Sequence, residues 1–477
     1  MLRLLELGGY VSKTELKFTN FALKRVGFRR MEPILFILTL PKIKGISSDL
    51  SKEFLDKRIR NIRRTFMGNA SKPFMRNFDS LEDFVDVVSE VLNCPITVED
   101  ANHHLLAYSK HDEKTDPARI STIIRRKVPE NVINMLWKNN IIPTLLSSKR
   151  PLRIKEISEV GLGNRIAISI RKNEEILGFI WVLDQKQNID DQDLDYLVEA
   201  SKVAKNLLLK IQTKINKKQK DQQEIFRMLL KGHFMDERKA IMQFEQLGIR
   251  PPSTYSIIIF RFQNWISDSF HKQLIYVMET IQKLNIIFYQ IEDHDFIILV
   301  ASKTKQPTIE LQDYIETFVY KMKERFQIDG LQCGFGGIYH NLQFIHACFS
   351  EAEAVLELKG IFPNELLNVY GYHQLGLFKH IKSIAPSYQK PEPIIILEDY
   401  DRKNNSELLV TLESYLDHDL NISETAKHLH IHINTLNYRL KRMAEIAQIN
   451  FKDFNEKAEL YLSLKLYKYL KNTQPIS

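Results

Sequence analysis

The stretch Asn421-Ile-Ser-Glu-Thr-Ala-Lys-His-Leu-His-Ile-His-Ile-Asn-Thr-Leu-Asn-Tyr-Arg-Leu-Lys-Arg-Met443 reads as two short helices joined by a tight turn. Asn421 and Ser423 are both able to cap the first helix, because a side-chain oxygen accepts one of the free first-turn N–H groups. The spacing favours Ser423, with Glu424 and Thr425 opening the helix. Ala426 is small where two helices must approach, Leu429 points inward and Ile431 plugs the turn. The second helix starts at His432 or Asn434, and Leu436, Leu440 and Met443 recur on its buried face. Its other face carries Asn434, Asn437, Tyr438, Lys441 and Arg442. Apolar groups inside, with amides and cations outside, is the layout of a helix-turn-helix that enters a DNA groove. An ordinary helical hairpin with a solvated basic face has the same pattern.

The 477 residues are too many for one core, and three or so domains are expected. A net charge of +8 is compatible with a nucleic-acid partner, but much of the excess lies in the first 75 residues, so it does not by itself mark the C-terminal stretch. Cys94, Cys333 and Cys348 have neither metal nor disulfide spacing, which points to a reducing, cytoplasmic setting. The apolar run 33–40 is far shorter than the ~20 residues of a membrane span. Glu6 and Gly8-Gly9 interrupt the early apolar residues, so no cleavable signal is expected.

Upstream, the chain alternates helical and strand-like patterns. Residues 1–75 form a basic extension with no function assigned, and translation starting at Met67 or Met75 is an alternative reading. From Leu81 the order is helix, hairpin around Asp100-Ala-Asn, helices, hairpin around Lys172-Asn-Glu-Glu, helix. In such a domain an apolar sheet and crossing helices would enclose a small-molecule pocket. The last helix keeps a heptad, with Leu194, Leu197, Ala204, Leu208, Ile211 and Ile215 on one seam that Lys218 and Gln222 interrupt. It reads either as a coiled coil joining two protomers or as a helix packed on its own sheet. From Tyr255 the order β-α-β-β-α-β suggests a ferredoxin-like core, followed by a helix capped at Ser350 and a strand at 367–370. The turn Glu292-Asp-His-Asp295 reads as a solvated hairpin tip rather than a cation site, and His103-His104 likewise as solvated. Residues 385–393, with three prolines, read as a linker and hinge. The final helix around 458–470 closes the C-terminal core. His428, His430 and His432 straddle a turn and share no face, so no metal site is assigned. No phosphate loop, zinc-protease or nucleophile-elbow motif occurs, and no catalytic group or cofactor is expected.

Glu407-Leu-Leu-Val-Thr-Leu-Glu-Ser-Tyr-Leu, residues 421–429, the run His432 to Arg442, and Leu460-Tyr-Leu-Ser-Leu-Lys-Leu-Tyr together resemble the C-terminal helix-turn-helix of the PucR/CdaR family, bacterial regulators of catabolic operons. The resemblance departs at Ile433 and Asn437, where the family's pattern has arginine, and at Gln448, a capping position where it has glycine. Residues 334–337, 350–356 and 370–378 resemble that family's degenerate GGDEF-like domain. The hairpin at 292–296 lacks the two glycines of the cyclase signature. Val98-Glu-Asp, residues 125–130, Arg165-Ile-Ala-Ile and residues 177–183 resemble its GAF-like sensor. The three-domain arrangement is most similar to the proline-responsive activator branch.

The resemblance therefore implies a multidomain α+β chain. Its parts are a GAF-like sensor over 76–212, a helical linker over 213–245, a degenerate GGDEF-like domain over 246–384 and an all-α helix-turn-helix domain over 385–477. The expected activity is metabolite-responsive transcriptional regulation by a cytoplasmic homodimer, with an amino acid such as proline or a purine breakdown product as effector. The expected partners are double-stranded operator DNA and that effector, with no membrane. Candidate DNA contacts are Ser423, Thr425, His432, Asn434, Thr435, Asn437, Tyr438, Arg439, Lys441 and Arg442. Asn434, Asn437 and Tyr438 suit base edges, while Arg439, Lys441 and Arg442 suit phosphates. A nucleotide-handling enzyme built on the middle domain and a protein-interaction scaffold are the rival readings.

Overall fold

The structure, a computed structural model, describes Phe74 and residues 77–109, 115–184, 189–233 and 236–473. The basic segment 1–75 lies, apart from Phe74, outside the described residues. The first domain contains α1 (Leu81–Leu92), β1 (Ile96–Asp100), β2 (Leu105–Tyr108), α2 (Pro117–Arg125), α3 (Glu130–Lys138), α4 (Ile141–Ser147), β3 (Leu152–Ile154), β4 (Arg165–Lys172) and β5 (Glu175–Leu183). Its five strands run β2-β1-β5-β4-β3, all antiparallel. The short β3 is an addition to the two expected hairpins, since three residues are too few for a period-2 signal. β4 and β5 are almost continuously buried because both faces of the sheet are covered. On one side Val132, Ile133, Leu136, Ile142 and Leu145 of α3 and α4 fill the space over Ala167, Phe179 and Trp181. On the other lie α1 and α5 (Asp191–Leu230).

Helix α5 opens with a capping box between Asp190 and Asp193. It runs uninterrupted for 40 residues, about 60 Å at the usual rise. Lys218 and Gln222 interrupt the apolar seam, as expected, but not the helix, because both are strong helix formers whose polar ends stay in water. The heptad is resolved mostly in favour of packing on its own sheet. Leu197, Ala200, Ala204 and Leu208 are buried against β4, β5 and α1. A helix on a sheet and a coiled coil need the same three-and-four spacing, and here the sheet takes the first half of the seam. A Cβ on Gly178 would sit 2.1 Å from the Glu99 carbonyl and 3.0 Å from Leu208, so glycine lets strand and helix close together there. Leu194 and Ile211 stay half-buried, and Ile215 is exposed.

The last turns of α5, within the stretch read as a helical linker, pack into the second domain. Phe226, Leu229 and Leu230 join Ala240 and Phe244 of α6 (Glu237–Gln246). With Cys348, Ala352 and Leu356 of α9 (Ile345–Ile361) they cover one face of a four-stranded sheet. Its strands are β6 (Tyr255–Arg261), β7 (Asn285–Glu292), β8 (Asp295–Ala301) and β9 (Gln332–Phe335), in the order β7-β8-β6-β9 and all antiparallel. α7 (Asp268–Thr280) and α8 (Pro307–Phe326) cover the other face through Leu274, Val277, Tyr314 and Phe318. This is the expected split β-α-β arrangement. Two local expectations give way. α9 begins at Ile345, so Ser350 is interior rather than a cap. Residues 367–370 form no strand: Leu367 and Asn368 lie in turns, and the Tyr370 carbonyl accepts from the Phe335 N–H.

The first two domains meet through the β1–β2 turn. His103 is buried rather than solvated: its ring stacks on Phe179, Nδ1 lies 3.2 Å from Glu99 and Nε2 lies 3.2 Å from the Tyr276 hydroxyl of α7. The Trp137 indole donates to the same hydroxyl at 2.7 Å. His104 lies between Asp100 at 3.0 Å and Glu279 at 3.4 Å, and Glu279 also pairs with Lys127 at 2.9 Å. Burial alone would lower the His104 pKa, but hydrogen bonds to Asp100 and Glu279 outweigh it and raise it from 6.5 to about 9. Burial would raise the Glu279 pKa, but His104 and Lys127 pull it down from 4.5 to about 2. A raised histidine pKa stabilises the fold fully below its unfolded value, and that contribution is lost as pH climbs through the folded one. The stabilisation from His104 is therefore complete below about pH 6.5 and gone above about 9. Replacing His104 with Gln should lower the thermal midpoint most near pH 5.5, with the gap from wild type closing towards pH 10. A gap that stays constant across that range contradicts the assignment.

Candidate nucleic-acid interface

The C-terminal module is built from α10 (Glu392–Asn404), α11 (Leu408–Asp417), α12 (Ile422–His428), α13 (Ile433–Ala447) and α14 (Phe454–Thr473). Ile394, Leu397, Leu408, Leu412, Met443, Ala447, Leu460 and Leu464 make its core. The cap of α12 is Asn421 and not Ser423: its Oδ1 accepts from the N–H groups of Ser423 at 3.0 Å and Glu424 at 3.2 Å. Asn421 has the extended backbone a cap requires, so the first turn forms two residues earlier than the spacing suggested. The turn closes when Ile431 donates its N–H to the Ala426 carbonyl, with His430 at φ +54°. His432 caps α13, its Nδ1 accepting from the Asn434 N–H at 3.2 Å. At the far end Gln448 is left-handed, φ +53°, the position after a helix that glycine fills with least strain. The departure from glycine there is thus a matter of backbone conformation. The three histidines have separate surroundings, with His428 resting beside His418 at 4.8 Å between ring centroids.

The structure sorts the candidate contacts. Leu436 and Met443 are fully buried and Leu440 half-buried. Ser423, His432, Asn434, Thr435, Asn437, Tyr438 and Lys441 are exposed. Asn434, Asn437, Tyr438 and Lys441 recur at three- and four-residue spacing, so they share the outward face of α13. Thr425 is removed from this set: it is 0% exposed and its hydroxyl donates to the Asn421 carbonyl at 2.7 Å. Arg439 also points elsewhere. Its Nη1 donates to Thr411 at 2.9 Å and lies 3.4 Å from Glu407, tying α13 to α11. Arg442 lies over the Tyr400 ring at 5.3 Å and donates Nε to its hydroxyl at 3.2 Å, while its Nη1 lies 3.5 Å from Glu445 at the solvent edge. Sequence reasoning passed over Tyr400, Thr411 and Glu407, whose partners are 28 to 42 residues away in the chain. It also passed over Lys427, exposed on the last turn of α12.

The expected hinge at 385–393 is pinned. Ala385 is buried with Leu466 and Tyr469, the Tyr388 hydroxyl donates to the Ser463 carbonyl at 3.1 Å, and Lys390 pairs with Glu398. α14 serves two cores. Leu460 and Leu464 close the helix-turn-helix, while Leu466 and Tyr469 pack on Leu358, Phe362 and Leu375 of the middle domain. Between those faces the Lys465 ammonium, 1% exposed, meets Glu365 at 3.0 Å, Glu413 at 3.1 Å and Asp417 at 2.8 Å.

Two features bear on the other expected sites. A cavity of about 300 Å³ in the first domain is lined by Asp116, Pro117, Glu156, Ser158, Leu162, Gly163 and Asn164, beside the buried Asp116–Arg165 pair at 2.7 Å. In the middle domain Asp295, in the hairpin where the cyclase signature would fall, accepts both Nε and Nη2 of Arg261 at 2.8 and 2.7 Å. Among the described residues no helix is long and apolar enough to cross a membrane.

Residues 408–466 match the PucR C-terminal helix-turn-helix domain, and residues 231–358 the GGDEF-like domain. The chain is 41% identical over 405 residues to the DNA-binding transcriptional activator AdeR of Bacillus subtilis (strain 168), spanning 84% of this chain and 96% of that protein. It is 26% identical over 402 residues to the proline-responsive transcriptional activator PutR of the same organism, spanning 82% and 97%. It is also 34% identical over 156 residues to the carbohydrate diacid regulator of Escherichia coli (strain K12), spanning 32% and 39%.

Proposed function

Because the chain belongs to the PucR/CdaR family of transcriptional regulators, we propose that it is a metabolite-responsive activator that reads operator DNA with α13. The observation that carries this is the outward face of α13, where Asn434, Asn437, Tyr438 and Lys441 stand free on a helix whose other side is the module's core. Asn434 and Asn437 offer amides suited to adenine edges, and Tyr438 lies beside them. Lys441 and Lys427 supply phosphate contacts, joined by Arg442 where a phosphate replaces its partner Glu445, with Ser423, His432 and Thr435 around the entry of the helix. A cytoplasmic homodimer is the assembly we infer, since two half-sites need two reading helices. Ile215 is the part of the α5 seam that the chain itself leaves exposed, with Ile211 half-buried one turn before it.

The first domain is the GAF-like effector domain in this proposal, supported by its sheet covered on both faces and by the cavity at Asp116–Asn164. Effector binding biases the equilibrium by preferring one arrangement of the domains. The β1–β2 turn and α5 both reach the middle domain and so offer two routes for that bias. The identity to AdeR exceeds that to the proline-responsive PutR, so proline is one amino acid among those to be tried. A cyclase reading has less support, because Arg261 already holds the Asp295 carboxylate that would be wanted for a divalent cation.

Binding of duplex DNA from the protein's own upstream region, followed against salt, tests the reading face. Lys441→Ala should weaken binding to all sequences alike and reduce the log–log salt slope by about 1. Asn437→Ala should change which sequences are preferred. Arg439→Ala should lower the module's unfolding free energy by about 1–2 kcal/mol, through the lost charged hydrogen bonds. An unchanged slope in Lys441→Ala, with an unchanged profile in Asn437→Ala, sinks the assignment of this face. A thermal-shift screen of amino acids and purine breakdown products tests the effector, because a ligand of the native state raises the melting midpoint by mass action. If no member of either class moves the midpoint at millimolar concentration, the proposed effector chemistry is wrong.

A further inference from the structure

Helix α13 enters solvent with an alkyl group at its tip. Ile433 is the first residue after the His432 cap and keeps 42% of its surface exposed. Its neighbours on the outward side, Asn434, Asn437 and Lys441, are exposed and polar. Helical side chains lean towards the N-terminus of their helix, so Ile433 leads the element, and the N-terminal residues of a reading helix are those that meet base edges. Burying this side chain in a groove is favourable only against another apolar group, since a base-edge donor or acceptor facing it would lose its water without gaining a partner. In the major groove the apolar feature of a base is the C5 methyl of thymine.

We propose that Ile433 is a specificity-determining residue that selects thymine by packing on its 5-methyl group. The proposal rests on α13 being the reading helix and adds which base feature its tip recognises. Asn434 and Asn437, one position and one turn further on, then read neighbouring bases through hydrogen bonds. Thymine at the site selected by Ile433 is preferred to cytosine because only thymine carries the methyl group.

The experiment uses the full chain and two kinds of duplex. Binding sites are first selected from a randomised library, and each thymine of the selected duplex is then replaced in turn by deoxyuridine, which removes only the methyl group. For the wild type, one replacement in each half-site should weaken binding about fourfold, the factor expected for one lost methyl contact. Ile433→Ala should bind the thymine and uracil duplexes equally, and Ile433→Val, which keeps a branched alkyl group, should retain most of the discrimination. Circular dichroism of each variant confirms that the helices are intact. If wild type is indifferent to every replacement, or if Ile433→Ala discriminates as strongly as wild type, the inference is overturned while DNA binding by α13 stands. If no duplex is enriched by selection, both the inference and the reading beneath it fail.

Discussion

The Lys465 ammonium, enclosed by Glu365, Glu413 and Asp417, is the contact on which the placement of the reading helix depends. Burial alone would push its pKa down, but the three carboxylates outweigh burial and hold the charge on the lysine. Glu413 and Asp417 belong to α11 and Glu365 to the segment after α9, so one cation on α14 joins both domains. Lys468 adds a second cation to Glu365 at 2.9 Å. Removing one partner of such a group leaves buried charge uncompensated, which costs about 3–5 kcal/mol in buried pairs. The apolar halves of α14 reinforce the same connection from either side. The helix-turn-helix is thereby a fixed projection of the middle domain.

The same logic holds at the other end of the middle domain. α5 carries the sheet of the first domain on Leu197–Leu208 and the sheet of the second on Phe226–Leu230. The buried run from Glu99 through His103 to Tyr276 and Trp137 adds a direct polar contact. Buried polar groups of this kind are stable only when satisfied together, so a shift of the β1–β2 turn is felt by α7. A change in the first domain therefore has a continuous packed route to α13, through α7, the middle sheet, α9 and α14.

Much of this was legible in the sequence because it is governed by local period. The two middle-domain helices, the hairpins at Asp100 and Asp293, and the buried face Leu436–Met443 all follow from spacing of apolar residues and turn chemistry. The family-level likeness found at 407–467 corresponds to the matched helix-turn-helix at 408–466. What was not legible depends on partners far away in the chain. The α5 heptad could not say whether its seam met a second copy or its own sheet. The prolines at 385–393 suggested a hinge, since nothing local shows that Ala385 and Tyr388 dock on α14. Arg439 looked like a phosphate ligand until Thr411 and Glu407 were found beside it. The buried His103 escaped for the same reason, its hydroxyl partner being 173 residues downstream.

Native-state hydrogen exchange in increasing urea tests most directly whether the reading helix is a fixed projection of the middle domain. Amides of β6 and of α13 in the wild-type chain should lose protection in one shared transition. In Lys465→Ala the α13 amides should open at lower urea than those of β6. Separate transitions for β6 and α13 already in the wild type would contradict the account.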